Sequence, residues 1–380
     1  MSKNIIAEAL LEIAEGIESG SFAKKPKIGL TISGSEHGVE NMLEAANLAK
    51  SPHYDIVLIG SKADTEFELV EADDDEAAHK KMEELLDSKY LDACITMHYN
   101  FPIGVSTIGR VVTPGIGKEM LIATTTGSSS MNRVESMVRN TVAGITVAKA
   151  LGKENPTVGI LNVDGARQVE KALNNLRANG YEFEYTESKR SDGGAVLRGN
   201  DVLQGVPDVC VTDSLTGNIL MKMFSAFTTG GSYESVGYGY GPGIGEGYDR
   251  TVLIISRASG APVIANAIKY AYELVLGDIK DKVQKEYTEV NSHCYDAVID
   301  SLNTKKPASE EAAEAEAPPK EVVTGSISGI DILDLDDAVQ ALWKNKIYAE
   351  SGMGCTGPIV MVSEANVLNA TEILEKEDFL

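Results

Sequence analysis

Short apolar runs recur along this chain, most of them closed by a glycine or a polar turn and followed by a longer stretch with helical periodicity. "KPKIGLTIS" (25–33) ends in "GSEHG" and precedes a helical pattern from Val39 to Lys50, and "YDIVLIG" (54–60) repeats the theme. The acid-rich "EADDDEAAHKKMEELLDSK" (71–89) reads as a solvated helix and "LDACITMH" (91–98) as another buried strand. "KEMLIATTTGSSS" (118–130) is a strand running into a polar turn, ahead of the long helix "MNRVESMVRNTVAGITVAKAL" (131–151). "TVGILNV" (157–163), "DVCVTDS" (208–214) and "TVLIISR" (251–257) complete the set. Buried strands alternating with helices predict an open α/β sheet with mainly parallel strands. Ligands of such sheets sit in the crevice at the carboxyl ends of the strands.

Three stretches break the pattern. The start, "MSKNIIAEALLEIAEGIESG", spaces apolar residues and glutamates as an amphipathic helix does and lacks the uninterrupted apolar core of a signal peptide. "KKPASEEAAEAEAPPKE" (305–321) has no apolar residue larger than alanine, so it cannot bury a core and reads as a disordered linker. Beyond it, "DILDLDDAVQALWKNKIYAES" predicts a helix with Trp343 on its apolar face, followed by a glycine-rich loop around Cys355, a strand "PIVMV" (358–362) and a helix from about Glu364 to Lys376. The expected organisation is a main α/β domain over 1–303, an acidic Ala/Glu/Pro linker over 304–324 and a small C-terminal module over 325–380 on that flexible tether.

Charge narrows the partners. The 57 acidic residues outweigh 34 basic ones for a formal charge of −23, a balance that disfavours nucleic acid and anionic membranes. A small anion remains compatible only where backbone N–H groups or a few cations overcome the global field. No segment approaches the ~20 apolar residues of a membrane span. The four cysteines, Cys94, Cys210, Cys294 and Cys355, form no C-x-x-C pair and have no histidine at metal-ligand spacing. A reducing cytoplasm fits this usage, and no metal or cofactor is expected.

Four places could carry chemistry. "TTTGSSSMNR" (124–133) sets six hydroxyls around Gly127 ahead of a helix start near Asn132, an arrangement that either cradles phosphate or simply caps the helix. Thr126, Gly127, Ser128 and Ser129 are its candidate ligands. In "TDSLTGNILMKM" (212–223) a strand ends at Asp213 and a helix is expected to begin near Asn218, with Lys222 about one turn in and able to turn back towards an anion held by Asp213, Thr216, Gly217 and Asn218. His37 lies in the turn "SGSEHG", where a lone histidine is more often structural or solvated than catalytic. Cys355 sits in "SGMGCTGPIV", whose glycines leave a sulfur uncrowded and let backbone N–H groups converge on a nearby oxygen. The repeat "GYGYGPGIGEG" (237–247) lacks the G-x-G-x-x-G spacing of a dinucleotide site and suits either a backbone that bends sharply or lets a ligand come close, or a flexible surface loop.

"GKENPTVGILNVDG" (152–165) and "VPDVCVTDSLTGNILMKMF" (206–224), with "GSEHG" in place of a "GGDHG" turn, resemble the phosphate acyltransferase family of bacterial phospholipid synthesis. That resemblance runs from about Lys25 to Lys285 and implies a Rossmann-like, three-layer αβα fold and movement of an acyl group between a carrier thioester and phosphate. Glu36 replaces the family's Asp, "MHYNFPIG" replaces an asparagine-bearing turn, the glycine segment at 237–247 differs, and the tethered cysteine module is additional. With that module, and above all with "GMGCTGPI", the chain resembles the acetyl-carrying subunits of clostridial glycine, sarcosine and betaine reductase complexes. This second resemblance implies that Cys355 is the catalytic thiol that holds the acetyl group. Its implied partners are phosphate, the beta (ketoacyl synthase-like) subunit of component C, and the carboxymethylated selenoprotein A. Two alternatives stay open: a free-standing phosphate acyltransferase with no covalent step, and a non-catalytic scaffold subunit.

Overall fold

The computed structural model describes residues 25–189, 193–303, 315, 317–331, 334–354, 357–377 and 379–380. The N-terminal amphipathic stretch, most of the Ala/Glu/Pro segment and Cys355 lie outside the described residues.

In chain order the elements are β1 (Lys27–Thr31), α1 (Gly38–Leu48), β2 (Asp55–Gly60), β3 (Glu68–Glu71), α2 (Asp75–Asp87), β4 (Ala93–Met97), β5 (Val105–Val112) and β6 (Glu119–Ser128). Then follow α3 (Arg133–Ala150), β7 (Thr157–Leu161), α4 (Ala166–Ala178), β8 (Glu184–Tyr185), β9 (Val196–Leu197), α5 (Gly199–Leu203), β10 (Val209–Val211) and α6 (Ser214–Ala226). The main body closes with β11 (Gly241–Ile244), β12 (Val252–Ile255), α7 (Ala261–Leu276), α8 (Ile279–Ser292) and α9 (Tyr295–Asn303). A second, three-stranded sheet follows: β13 (Gly325–Ser328), α10 (Leu335–Lys344), β14 (Ala349–Gly354), β15 (Gly357–Val362) and α11 (Val367–Lys376).

The main sheet has the order β3-β2-β1-β4-β12-β11-β5-β6-β10-β7-β8, with β9 also pairing β7. Its strands are buried on both faces, and the period of two sorts them between two cores. Ile56 and Leu58 of β2, Ile95 of β4 and Val209 of β10 face a core shared with α1, α3, α4, α7, α8 and α9. Val57, Ile59, Cys94 and Cys210 face the opposite core with α2, α5 and α6. The result is the expected three-layer αβα arrangement.

Among the strands that were not expected, two change the topology. β5 and β11 are antiparallel insertions at the centre of an otherwise parallel sheet: β11 runs against both β12 and β5, and β5 against β6. The β1–β4–β12 half and the β6–β10–β7 half therefore run in opposite directions, and their carboxyl ends open at opposite edges. β11 is the sequence "GPGI", drawn from the glycine repeat that reads as a bent backbone or surface loop. It is buried throughout, and the glycines answer to crowding: at Gly241 (φ +86) a Cβ would fall 1.7 Å from the Ile108 carbonyl oxygen. Only glycine admits both that φ and that approach.

Arg110 of β5 ties this junction together. Its Nε and one terminal nitrogen donate to Glu119 of β6 at 3.1 and 2.6 Å, its other nitrogen donates to Glu273 of α7, and its guanidinium lies over the Tyr238 ring at 4.1 Å. Burial would raise the Glu119 carboxyl, but hydrogen bonds from Tyr238 and Arg110 outweigh it and hold that group below its usual value.

The C-terminal sheet has the order β13-β15-β14 and its own apolar core, in which Val339, Leu342, Ile347, Val360, Val362 and Leu374 are buried and Trp343 packs at the edge. The glycine-rich run ahead of Cys355 is strand rather than loop: β14 and β15 form a hairpin paired as far as Gly354 and Gly357.

Gly241→Ala is expected to destabilise the chain by about 3 kcal/mol, from the clash with Ile108 and the left-handed φ together, read as a lower urea midpoint. Glu119 supplies an acid limb. Because its folded-state pKa is depressed, its contribution is present above about 4.5, the ordinary value, and is lost as pH falls through the folded value. Thermal melting between pH 5 and 3 should therefore fall less steeply in Glu119→Gln than in the wild type, by a small margin because the side chain is 45% exposed and screened.

Candidate active site

The candidate ligands at the end of β6 and the start of α6 meet in one place. α6 begins at Ser214, four residues before the expected start, because Asp213 caps it: its Oδ1 accepts from the Leu215 and Thr216 amides, both at 3.1 Å, and its Oδ2 from the Thr216 hydroxyl at 2.7 Å. Thr216, Gly217 and Asn218 thus lie inside the first turns of the helix. Gly217 lets α6 settle on β6, since a Cβ there would stand 1.8 Å from the Thr124 carbonyl oxygen. Asn218 Nδ2 donates to the Thr125 carbonyl at 3.1 Å. A carboxylate already occupies the positive end of this helix, where a phosphate would otherwise sit.

Most of the adjacent hydroxyls face inward. Thr124 Oγ1 donates to the Thr107 carbonyl and Thr125 Oγ1 to the Tyr240 carbonyl, both at 2.7 Å. Ser129 is buried and donates to Asn140 Oδ1, while Asn140 Nδ2 reaches the Thr212 carbonyl at 3.4 Å and so joins this loop to the end of β10. Thr126 is half-buried with its amide on Thr107 Oγ1, and Gly127 (φ +80) and Ser128 are exposed. Thr126, Gly127 and Ser128 are the members of the loop left facing outward.

Lys222 and His37 belong to a different place. Lys222 stands two turns into α6, not one, and about 13 Å along the helix from Asp213 at 1.5 Å per residue. It borders a cleft of about 410 Å³ whose walls are Met223, Ala226, Phe227, Tyr233, Glu234 and Ala258. Its Nζ lies 3.9 Å from Glu234 Oε1 and 5.6 Å from the centre of the Tyr240 ring. Glu234 is buried and accepts the Tyr240 and Ser259 hydroxyls, each at 2.8 Å. The "GSEHG" turn forms the neighbouring wall. His37 packs edge-on against Tyr233 with centroids 5.9 Å apart, and the Glu36 amide donates to the Arg257 carbonyl at 3.0 Å.

Two residues that sequence reading missed lie near the "GSEHG" turn, His98 in a separate small cavity with Ser33, Gly34, Asp75 and His79. Arg257, next to the cleft-lining Ala258, is exposed and has no ion pair among the described residues. His98 follows β4 in the left-handed region (φ 52); burial, and then the charge of Arg257 beside it, lower its pKa, so the ring stays neutral at pH 7. The signals were present as the arginine closing "TVLIISR" and the histidine closing "LDACITMH", but neither belongs to a spaced motif.

The arrangement can bind an anion against the field of a −23 chain. Lys222 is already opposed by Glu234, so one lysine supplies little net positive charge; Arg257 supplies the second. No group of three or more His, Cys, Asp or Glu residues among the described ones is placed to hold a metal. No described helix is long and apolar enough to cross a membrane. Cys94 and Cys210 are buried, with burial pushing the Cys210 thiol up to about 12 and that of Cys94 further, whereas Cys294 is exposed.

Residues 26–361 match a family model described as fatty acid synthesis protein. The chain is 60% identical over 377 residues, 98% of its own length and 97% of the other, to the glycine/sarcosine/betaine reductase complex component C subunit alpha of Peptoclostridium acidaminophilum. It is 27% identical over 231 residues, 52% of its length and 66% of the other, to a phosphate acyltransferase of Thermotoga petrophila. Among solved structures, a branched-chain phosphotransacylase from Enterococcus faecalis V583 aligns with a TM-score of 0.46 at 16% identity, covering 65% of this chain and 99% of that one. With a family model matched from residue 26 to residue 361 and a relative alike over nearly the whole of both chains, this chain belongs to the fatty acid synthesis protein family, beside the component C alpha subunit of the glycine/sarcosine/betaine reductase complex.

Proposed function

We propose that this chain is an acyl-transfer subunit of a glycine reductase-type complex, holding an acetyl group as a thioester on Cys355 and passing it to phosphate. The carrying observation is the apolar cleft bordered by Lys222, whose lining residue Ala258 follows Arg257, an exposed cation with no ion pair among the described residues, in a chain whose overall charge would otherwise repel phosphate. The name of the 60% identical relative and the likeness to phosphate acyltransferases support the same reading.

In this reading the two cations hold phosphate, and one of its oxygens attacks the thioester carbonyl carbon. Negative charge moves to the carbonyl oxygen, the C–S bond then breaks, and its electron pair returns to Cys355 as thiolate. Acetyl phosphate leaves. The cations orient the nucleophile and the glycine amides around Cys355 receive the oxyanion. Asp213 caps α6, and Gly217 and Asn218 fix it against Thr124 and Thr125 of β6 so that Lys222 keeps its place. The partners are the ketoacyl synthase-like beta subunit and the carboxymethylated selenoprotein that supplies the acetyl unit.

Purified chain incubated with acetyl phosphate at mildly acidic pH should gain one acetyl increment on the peptide holding Cys355, removed by neutral hydroxylamine. An unmodified Cys355, even with the beta subunit present, moves the covalent step to the partner. Lys222→Ala and Arg257→Gln should each weaken phosphate binding about tenfold or more, the loss of one charged hydrogen bond of about 1.5–3 kcal/mol, in equilibrium dialysis with labelled phosphate. A chain ended after Asn303 should bind phosphate as before and lose acetyl transfer; retained transfer would favour a free-standing acyltransferase without the thiol.

A further inference from the structure

Glu234 stands in the wall of the Lys222 cleft with its side chain only 3% exposed. A carboxylate there opposes any anion the cleft admits, in a chain whose formal charge is already −23. Its place is nonetheless fixed from several sides. The Glu234 amide donates to the Ala258 carbonyl at 2.9 Å, and its own carbonyl accepts from the Gly260 amide at 2.8 Å, which laces the residue to the turn after β12. The next amide, that of Ser235, donates to the Ser225 carbonyl of α6 at 2.8 Å and so sets the distance to the Lys222 helix. Glu234 Oε1 accepts the Tyr240 hydroxyl and Oε2 the Ser259 hydroxyl, each at 2.8 Å. Each oxygen takes one hydroxyl hydrogen, as an ionised carboxylate does, and each keeps a lone pair to spare. Lys222 does not use that capacity: its Nζ is 3.9 Å from Oε1, beyond hydrogen-bond length, on a side chain 55% exposed.

We propose that Glu234 is the specificity-determining residue of this cleft: it accepts the hydrogen of monohydrogen phosphate while Lys222 meets the bare oxygens, and so tells phosphate from sulfate. The inference rests on the reading that the Lys222 cleft binds phosphate. Above neutral pH the two ions share a tetrahedral shape and a double charge, and only phosphate has a hydrogen to donate. With phosphate, the carboxylate gains a charge-assisted hydrogen bond. With sulfate, the same oxygen faces another acceptor, so like charges meet with no hydrogen between them in a wall that excludes water. A site built around one hydrogen bond rejects an analogue that lacks it far more strongly than shape alone could. The same contact orients the nucleophile, because it turns the protonated oxygen to the wall and leaves the unprotonated ones on the open side of the cleft. A counter-ion for Lys222 would need neither the burial nor the paired hydroxyls. An acceptor that must meet a hydrogen from one direction needs both.

The test is equilibrium dialysis of the full chain with labelled phosphate at pH 8, with sulfate and arsenate as competitors. Arsenate carries the same hydrogen and should displace phosphate to within about threefold of unlabelled phosphate, whereas sulfate should be at least about tenfold weaker. Glu234→Gln keeps the size of the side chain and can still bond Tyr240 and Ser259. In it, sulfate should come within about threefold of phosphate. Sulfate that displaces phosphate from the wild type as well as phosphate itself overturns the proposal. So does a Glu234→Gln chain that keeps the wild-type ratio, even if it binds both ions more tightly, since Glu234 is then only the counter-ion of Lys222. Should the variant fail to fold, the wild-type contrast between arsenate and sulfate decides, and equal displacement by the two sinks the proposal. A wild-type chain that binds no phosphate removes the reading of the cleft and this inference together. One that binds phosphate and sulfate alike removes the inference alone.

Discussion

Everything at the centre of this molecule depends on how closely β11 can approach β5. Two parallel half-sheets run in opposite directions, and a four-residue strand of glycine, proline and isoleucine is the bridge between them. Gly241 rests against the Ile108 carbonyl in a conformation closed to other residues, and Pro242 gives up a donor that this short ladder does not use. Arg110 adds what so small a strand lacks: it joins β5 to Glu119, Glu273 and the Tyr238 ring at the same level. A steric permission and a charged clamp together turn two sheets into one.

That junction also fixes the cleft. One wall, α6 with Lys222, belongs to the half that contains β6 and β10; the other, formed by the turn after β1 and the end of β12, belongs to the opposite half. The 227–240 segment crosses between them, with the Tyr238 amide on the Arg110 carbonyl and the Tyr240 amide on Ile254. The spacing of Lys222 from Arg257 is therefore set by the seam, while the separate contact of Gly217 with Thr124 keeps α6 from sliding along its own half.

Much of this was legible in the chain itself, and the exceptions share a cause. Strands built on β-branched runs, such as "DIVLIG" and "TVGIL", announce themselves because burial on both faces demands apolar residues throughout. β11 does not, since close backbone approach selected glycine where propensity would ask for valine. The start of α6 was misjudged for a similar reason. "SLTGN" looks like turn chemistry, but its glycine serves packing against β6 and Asp213, not Asn218, is the cap. The open α/β sheet followed from pattern, and its three layers from the family resemblance. The split between the Asp213 loop and the Lys222 cleft did not, because spacing along a helix gives distance without telling which neighbour the other wall comes from. Arg257 and His98 were invisible as motifs: each is a single residue at a strand end, and only the fold places those ends together.

The sorting of cysteines between the half-sheets has a consequence of another kind. Cys94 lies in β4 of one half and Cys210 in β10 of the other, both fully buried with thiols that resist ionisation. Neither can react with an alkylating reagent unless its own half opens to solvent. The chain thus carries an internal stopwatch in each half, and the order in which the two sulfurs become reactive reports which half-sheet breathes first.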